Sequence, residues 1–107
     1  MAIEVEVRQL QTAIDEAAEL LAPSDPFWSS TLSNGSKQLE CAQSLPEYSK
    51  CVQGVLSWFH GMGSFSELYI PDPLDPVHAA PEQHQFDYLK NRIYDLASRI
   101  IKINKLS

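Results

Sequence analysis

Two stripes of apolar residues, one near each end of the chain, constrain the fold most strongly. In the first stripe, apolar side chains recur mostly every three or four residues: Ile3, Val7, Leu10, Ile14, Ala17, Ala18 and Leu21. The second stripe has a heptad-like spacing: Phe86, Leu89, Ile93, Leu96, Ile100 and Ile103. Such spacing places apolar side chains on one face of an α-helix. We therefore predict a first helix over residues 3–21 and a last long helix from Pro81 onward, whose apolar faces pair in a small bundle.

Proline residues mark two further helices between these stripes. Pro26 follows Ser24 and Asp25, either of which can cap a helix, so we predict a second helix over residues 26–44. Residues 33–36 are poor helix formers, and a break there is an alternative. Its expected core residues are Phe27, Leu32, Leu39 and Ala42. A third helix is predicted over residues 46–59, with Pro46 in its first position. Its expected inner face contains Tyr48, Cys51, Val52, Val55, Leu56 and Phe59.

The remaining segments read as turns. Between Tyr69 and Pro81, four prolines remove backbone donors and forbid a helix, which predicts an irregular surface arm. With 107 residues and 44% hydrophobic residues, the chain is long and apolar enough for one core. The prediction is a single all-α domain over residues 1–107, a bundle of about four helices with a glycine turn and a proline-rich loop.

The glycine turn, Gly61-Met62-Gly63-Ser64, could be mistaken for a phosphate-binding loop. No Lys follows the second glycine, however, and no third glycine completes a dinucleotide fingerprint. Gly61 and Gly63 instead suit a sharp turn, because glycine adopts positive φ readily. Ser64 followed by Glu67 has the spacing of a capping box that restarts a short helical turn.

Charge limits the classes of partner. The formal net charge is −6, which argues against nucleic-acid binding because neutralising phosphates requires surplus Lys and Arg. Residues 1–89 carry 3 basic and 13 acidic side chains, a net charge of −10, whereas residues 90–107 carry 5 basic and 1 acidic, a net charge of +4. We therefore expect an acidic surface for a basic partner and a basic last helix. Neither a signal peptide nor a membrane-spanning run is recognisable, so we expect a cytoplasmic protein with no membrane partner.

No set of residues has the spacing of a catalytic or metal site. His60, His78 and His84 lack a helical zinc-protease pattern, and Ser64 lacks the Gly-x-Ser-x-Gly elbow. Cys51 and His60 are nine residues apart and fall on opposite faces at helical geometry. Cys41 and Cys51 are expected as free, packed thiols, a disulfide being the alternative. We expect no enzyme activity, no metal and no cofactor.

The run from Gly61 to Ile70 reads Gly-Met-Gly-Ser-Phe-Ser-Glu-Leu-Tyr-Ile and follows a predicted helix. It resembles the Gly-Gly-Met-Gly-Ser-Phe-Asn-Asp-Leu signature of a family of small, uncharacterised bacterial helical proteins. The resemblance extends over residues 27–70 and is specific over residues 61–70; His60 stands where the family has glycine, and Ser66-Glu67 where it has Asn-Asp. Such proteins often accompany polymorphic or contact-delivered toxins of interbacterial competition, as in type VI secretion. The resemblance implies an immunity protein that binds a cognate toxin.

An immunity protein requires a surface complementary to its toxin. The predicted contact combines aromatic anchors with acidic neighbours: Trp58, His60, Met62, Glu67, Tyr69, Asp72 and Asp75. The alternative function is a helical dimerisation or regulatory module in which the stripe from Phe86 to Ile103 is the seam between two subunits. A third alternative, an unrecognised enzyme, would require a deep polar pocket around His60 and Cys51.

Overall fold

The computed structural model describes residues 2–59, 70–72, 74–79, 81 and 83–106. Within them lie four α-helices: α1 (Ala2–Leu21), α2 (Pro26–Cys41), α3 (Leu45–Ser57) and α4 (Gln83–Leu106). The all-α architecture of about four helices is confirmed. None of the described helices combines the length and the apolarity that crossing a bilayer requires.

Side-chain caps and prolines begin the two middle helices. The Asp25 carboxylate accepts the Trp28 backbone N–H at 3.1 Å, and Pro26 occupies the first turn of α2. At α3, the Ser44 hydroxyl accepts the Glu47 N–H at 3.4 Å. Helix α2 runs without interruption through residues 33–36, so the break considered as an alternative does not occur.

The helices form a ring in which each packs on two neighbours: α1 contacts α2 and α4, and α3 contacts α2 and α4. The apolar stripes of α1 from Val7 to Leu21 and of α4 from Phe86 to Ile100 are buried, as their spacing predicts, and Ile103 is partly buried. Leu32, Leu39 and Ala42 are buried as expected, but Phe27 is 73% exposed. The placement of Phe27 in the core is therefore wrong; its ring packs edge-on against Trp28 at 6.1 Å between centroids.

The proline-rich segment is more regular than predicted. Strand β1 (Pro71–Asp72) pairs antiparallel with β2 (Asp75–Ala79), and the register shifts between Pro71 and Asp72. Proline is tolerated here because each strand of a two-stranded pair has an outer edge whose N–H groups need no partner strand. The glycine turn at Gly61 and Gly63 and the capping box of Ser64 and Glu67 lie outside the described residues.

Candidate functional site

A groove of about 700 Å³ runs along α1 beside α2, with Tyr48 of α3 also in its lining. We call it the acidic groove. Its lining contains two carboxylates, one arginine and a mixture of polar and apolar side chains: Val7, Arg8, Gln11, Thr12, Asp15, Leu39, Glu40 and Tyr48. Val7 and Leu39 are buried and give the groove an apolar floor. Asp15 and Glu40 are exposed, and neither forms an ion pair within the described part of the chain.

Hydrogen bonds between α1 and α2 locate the two carboxylates. The Gln11 side-chain amide donates to the Ser36 carbonyl at 3.2 Å, and the Ser29 hydroxyl donates to the Ala18 carbonyl at 2.9 Å. These pairs make α1 and α2 antiparallel. Asp15 lies one turn beyond Gln11, and Glu40 one turn beyond Ser36 in the opposite direction. At 1.5 Å per residue, the two carboxylates lie toward opposite ends of the groove, roughly 12 Å apart along α1.

The position of Glu40 runs against helix electrostatics. Glu40 lies in the last turn of α2, a helix with no basic residue in that turn. The carbonyl end of a helix carries partial negative charge, which disfavours an exposed carboxylate by about 0.3–1 kcal/mol. Local helix stability therefore does not account for Glu40. Residues that break a local rule in this way concentrate at functional sites.

Trp58, the one predicted anchor whose side chain is described, is largely structural. It is half-buried and packs against the core, and its indole meets Trp28 edge-on at 6.4 Å between centroids. Its ring also lies directly on Gly35 of α2. We therefore do not place the leading contact at Trp58.

The other predicted site residues contribute little described geometry. Asp72 and Asp75 are paired residues of the short β-strands, and only their backbones are described. The other predicted contact and turn residues lie outside the described residues: His60, Gly61, Met62, Gly63, Ser64, Glu67 and Tyr69. The predicted contact therefore stays a prediction. Sequence reasoning missed the acidic groove because its two carboxylates, Asp15 and Glu40, come from different helices. The carboxylate in the last turn of α2 was the available signal.

The two cysteines are free thiols. Cys41 is exposed, contrary to the expectation that both pack as apolar groups, whereas Cys51 is half-buried against the core. Burial raises the pKa of the Cys51 thiol, the charge of Glu47 raises it further, and Lys50 only partly offsets them. Cys51 also lines an open groove of about 310 Å³ between α2 and α3. A thiol with a raised pKa is a weak nucleophile near neutral pH.

Among the residues that the structure describes, no group of three or more His, Cys, Asp or Glu side chains is placed to hold a metal ion. Comparison of the chain with protein-family models, with curated protein sequences and with solved structures gives no match.

Proposed function

We propose that this protein is a non-enzymatic immunity protein that occludes a basic surface of a cognate toxin domain. The proposal rests on the presence of two carboxylates, Asp15 and Glu40, toward opposite ends of one groove. Their exposed carboxylates have no cationic partner within the described part of the chain, so they are available to a partner's Lys or Arg side chains.

The dimensions of the acidic groove specify the kind of partner segment. Carboxylates roughly 12 Å apart match two basic side chains two turns apart on a helix. The aliphatic stems of Lys or Arg would lie along the groove, while their charged groups reach the carboxylates. Arg8 also lines the groove, toward the Glu40 end, and would orient the segment by repelling a third cation.

Electrostatics at the level of the whole chain favours the same class of partner. A net charge of −6 attracts a basic protein at long range, which accelerates association and opposes binding of acidic partners. A toxin cleft that binds an anionic substrate is lined with Lys and Arg. An acidic groove would compete with that substrate, so inhibition requires no catalytic group in the immunity protein.

The local resemblance at residues 61–70 supports an immunity role independently of the groove. The contact predicted from the sequence at His60, Met62, Glu67, Tyr69, Asp72 and Asp75 stays a prediction. In this proposal those residues extend the interface, and the leading contact lies at Asp15 and Glu40.

A co-expression experiment tests the proposal. The open reading frame immediately upstream would be expressed with and without this protein, followed by scoring of cell survival and capture of the complex. We expect rescue and a stable complex. Asp15→Asn with Glu40→Gln should then weaken binding about tenfold, which is ~1.4 kcal/mol. The matched control is Asp95→Asn, which neutralises an exposed carboxylate of α4 that does not line the groove.

Two results would count against the proposal. If the neighbouring protein is harmless, or if it kills cells that this protein cannot rescue, the immunity role is wrong. If rescue occurs but the groove variants and Asp95→Asn bind equally well, the contact lies elsewhere, and the segment around Tyr69 and Asp72 becomes the next surface to test.

A further inference from the structure

A second groove, of about 440 Å³, lies on the other side of α1, between α1 and α4. We call it the α1/α4 groove. It is lined by three charged side chains and one exposed tyrosine, together with smaller residues: Arg8, Gln9, Thr12, Ala13, Glu16, Tyr88, Leu89 and Arg92. Tyr88 is 61% exposed. The groove therefore presents an aromatic ring between cationic and anionic groups, and it adjoins the acidic groove at Arg8 and Thr12.

The charges of this groove have no partners within the described residues. The ion pairs found there join Lys90 to Asp87 at 3.1 Å and Arg99 to Glu6 at 3.5 Å. Neither Arg8, Glu16 nor Arg92 takes part in them. Arg8 and Glu16 are eight residues apart on α1, so their side chains lie too far apart to pair with each other.

The arrangement of charge on α1 is self-complementary. Arg8, Thr12 and Glu16 are exposed and follow one another at intervals of four residues. Arg8 and Glu16 therefore lie about 6 Å to either side of Thr12 along the helix. A two-fold axis perpendicular to α1 at Thr12 would lay α1 antiparallel on α1 of a second copy. Each Arg8 would then face Glu16 of the second copy, and the contact would occur twice, as an isologous interface requires.

From this symmetry we infer that the protein forms a homodimer through the outer α1/α4 face, with two reciprocal Arg8–Glu16 pairs. The inference goes beyond the proposed function, because it concerns a second copy of the chain and the neighbouring groove, which shares only Arg8 and Thr12 with the acidic groove. It also places the dimer contact on a different surface from the seam predicted from the sequence, which was the apolar stripe from Phe86 to Ile103. From Phe86 to Ile100 the apolar stripe of α4 is buried within the chain, and Ile103 is partly buried, so the stripe leaves little apolar surface for a seam.

The available area indicates a weak dimer. Helix α1 has 20 residues, so its length is about 30 Å. Two helices side by side are about 20 Å wide, which gives roughly 600 Å² per protomer and 1,200 Å² in total. That total lies at the lower limit for a specific interface. The dimer should therefore depend on protein concentration and, because its charge pairs are solvent-accessible, weaken as salt is added.

Sedimentation of the full chain over a range of concentrations tests the inference. We expect a monomer–dimer equilibrium in the wild type. Glu16→Arg alone and Arg8→Glu alone should each weaken self-association about tenfold or more, since each sets like charges opposite one another twice. A mixture of these two variants should associate again, because residue 8 of each copy in the mixed dimer faces an opposite charge at residue 16 of the other. Circular dichroism would show whether both variants retain their helices.

Asp15→Arg is the matched control, because it reverses a neighbouring charge that lines the acidic groove only. It should leave the dimer unchanged while weakening toxin binding, and Glu16→Arg should do the reverse, so the two proposals fail separately. A wild type that stays monomeric at every concentration would overturn the dimer. A dimer whose affinity is unchanged by Arg8→Glu and Glu16→Arg would also overturn it, as would folded variants whose mixture does not associate. Any of these results would indicate that the α1/α4 groove binds a different protein.

Discussion

A methyl group at Gly35 would lie 2.7 Å from Cη2 of Trp58 and 2.8 Å from its Cζ2. Both distances are well inside van der Waals contact, so the indole at the end of α3 occupies the space that a side chain on α2 would need. Glycine in a helix interior is unfavourable by about 1 kcal/mol relative to alanine. Helix α2 therefore retains a poor helix former because α3 packs on it through Trp58.

Gly35→Ala should lower the free energy of unfolding. The gain in helix propensity, about 1 kcal/mol, opposes an overpacking cost of about 1–3 kcal/mol as the indole is displaced. We expect a net loss of up to about 2 kcal/mol in urea denaturation and a changed tryptophan emission. Gly54→Ala is the matched control: Gly54 lies within α3, and nothing is within 4 Å of its added methyl group. This control should stabilise the protein by up to about 1 kcal/mol. Equal stabilisation by both variants would contradict the Gly35–Trp58 contact.

The start of α2 provides a second test of stability. Asp25→Ala removes the acceptor of the Trp28 N–H and should cost about 1 kcal/mol. Asp25→Asn keeps a side-chain oxygen at the same position and should retain most of that stability. Comparing the thermal denaturation of the two variants separates the loss of the capping hydrogen bond from other effects of the substitution. If Asp25→Asn is as destabilising as Asp25→Ala, the carboxylate acts through its charge and not as a cap.

Helices α1 and α4 were predictable because their apolar spacing selects a buried face, and α2 and α3 because a proline marks the start of each. The spacing did not predict the position of Phe27, because a residue in the first helical turn can extend beyond the bundle. It also could not reveal the acidic groove. Asp15 and Glu40 are 25 residues apart in sequence and share a groove only because α1 and α2 pack antiparallel. The spacing also could not show that the Trp58 indole packs on Gly35 of α2, because that contact joins the middle of one helix to the end of another.

The two thiols should react at different rates with a water-soluble disulfide reagent. Cys41 is exposed, whereas Cys51 is half-buried and its pKa is raised, chiefly by burial. The thiolate is the reacting species, so near pH 8 we expect a fast phase from Cys41 and a slower one from Cys51. Cys41→Ser should remove the fast phase and Cys51→Ser the slow one. A single phase of equal rate for both thiols would contradict the burial of Cys51.

A hydrogen-bonded chain at the start of α4 predicts a pH-dependent contribution to stability. The Gln83 side-chain oxygen accepts the Ile70 N–H at 2.6 Å, and its amide donates to the Asp87 carboxylate at 2.7 Å. Lys90 pairs with the same carboxylate at 3.1 Å. Burial opposes ionisation of Asp87, but the hydrogen bonds from Gln83 and Lys90 and the nearby positive charge outweigh it, so the pKa of Asp87 lies below its usual value.

The direction of this shift determines where the stability is lost. Because the pKa of Asp87 is lower in the folded state, its contribution is fully present above the unfolded-state pKa, near 4, and disappears as the pH falls through the folded-state value. Asp87→Asn should therefore lower the free energy of unfolding near pH 7, by at most about 0.5 kcal/mol because the group is exposed. The difference from wild type should shrink toward pH 2. Urea denaturation at both pH values, with Asp95→Asn as the control for loss of a carboxylate from α4, checks this. A difference that grows on acidification would show that Asp87 is not stabilised in its ionised form.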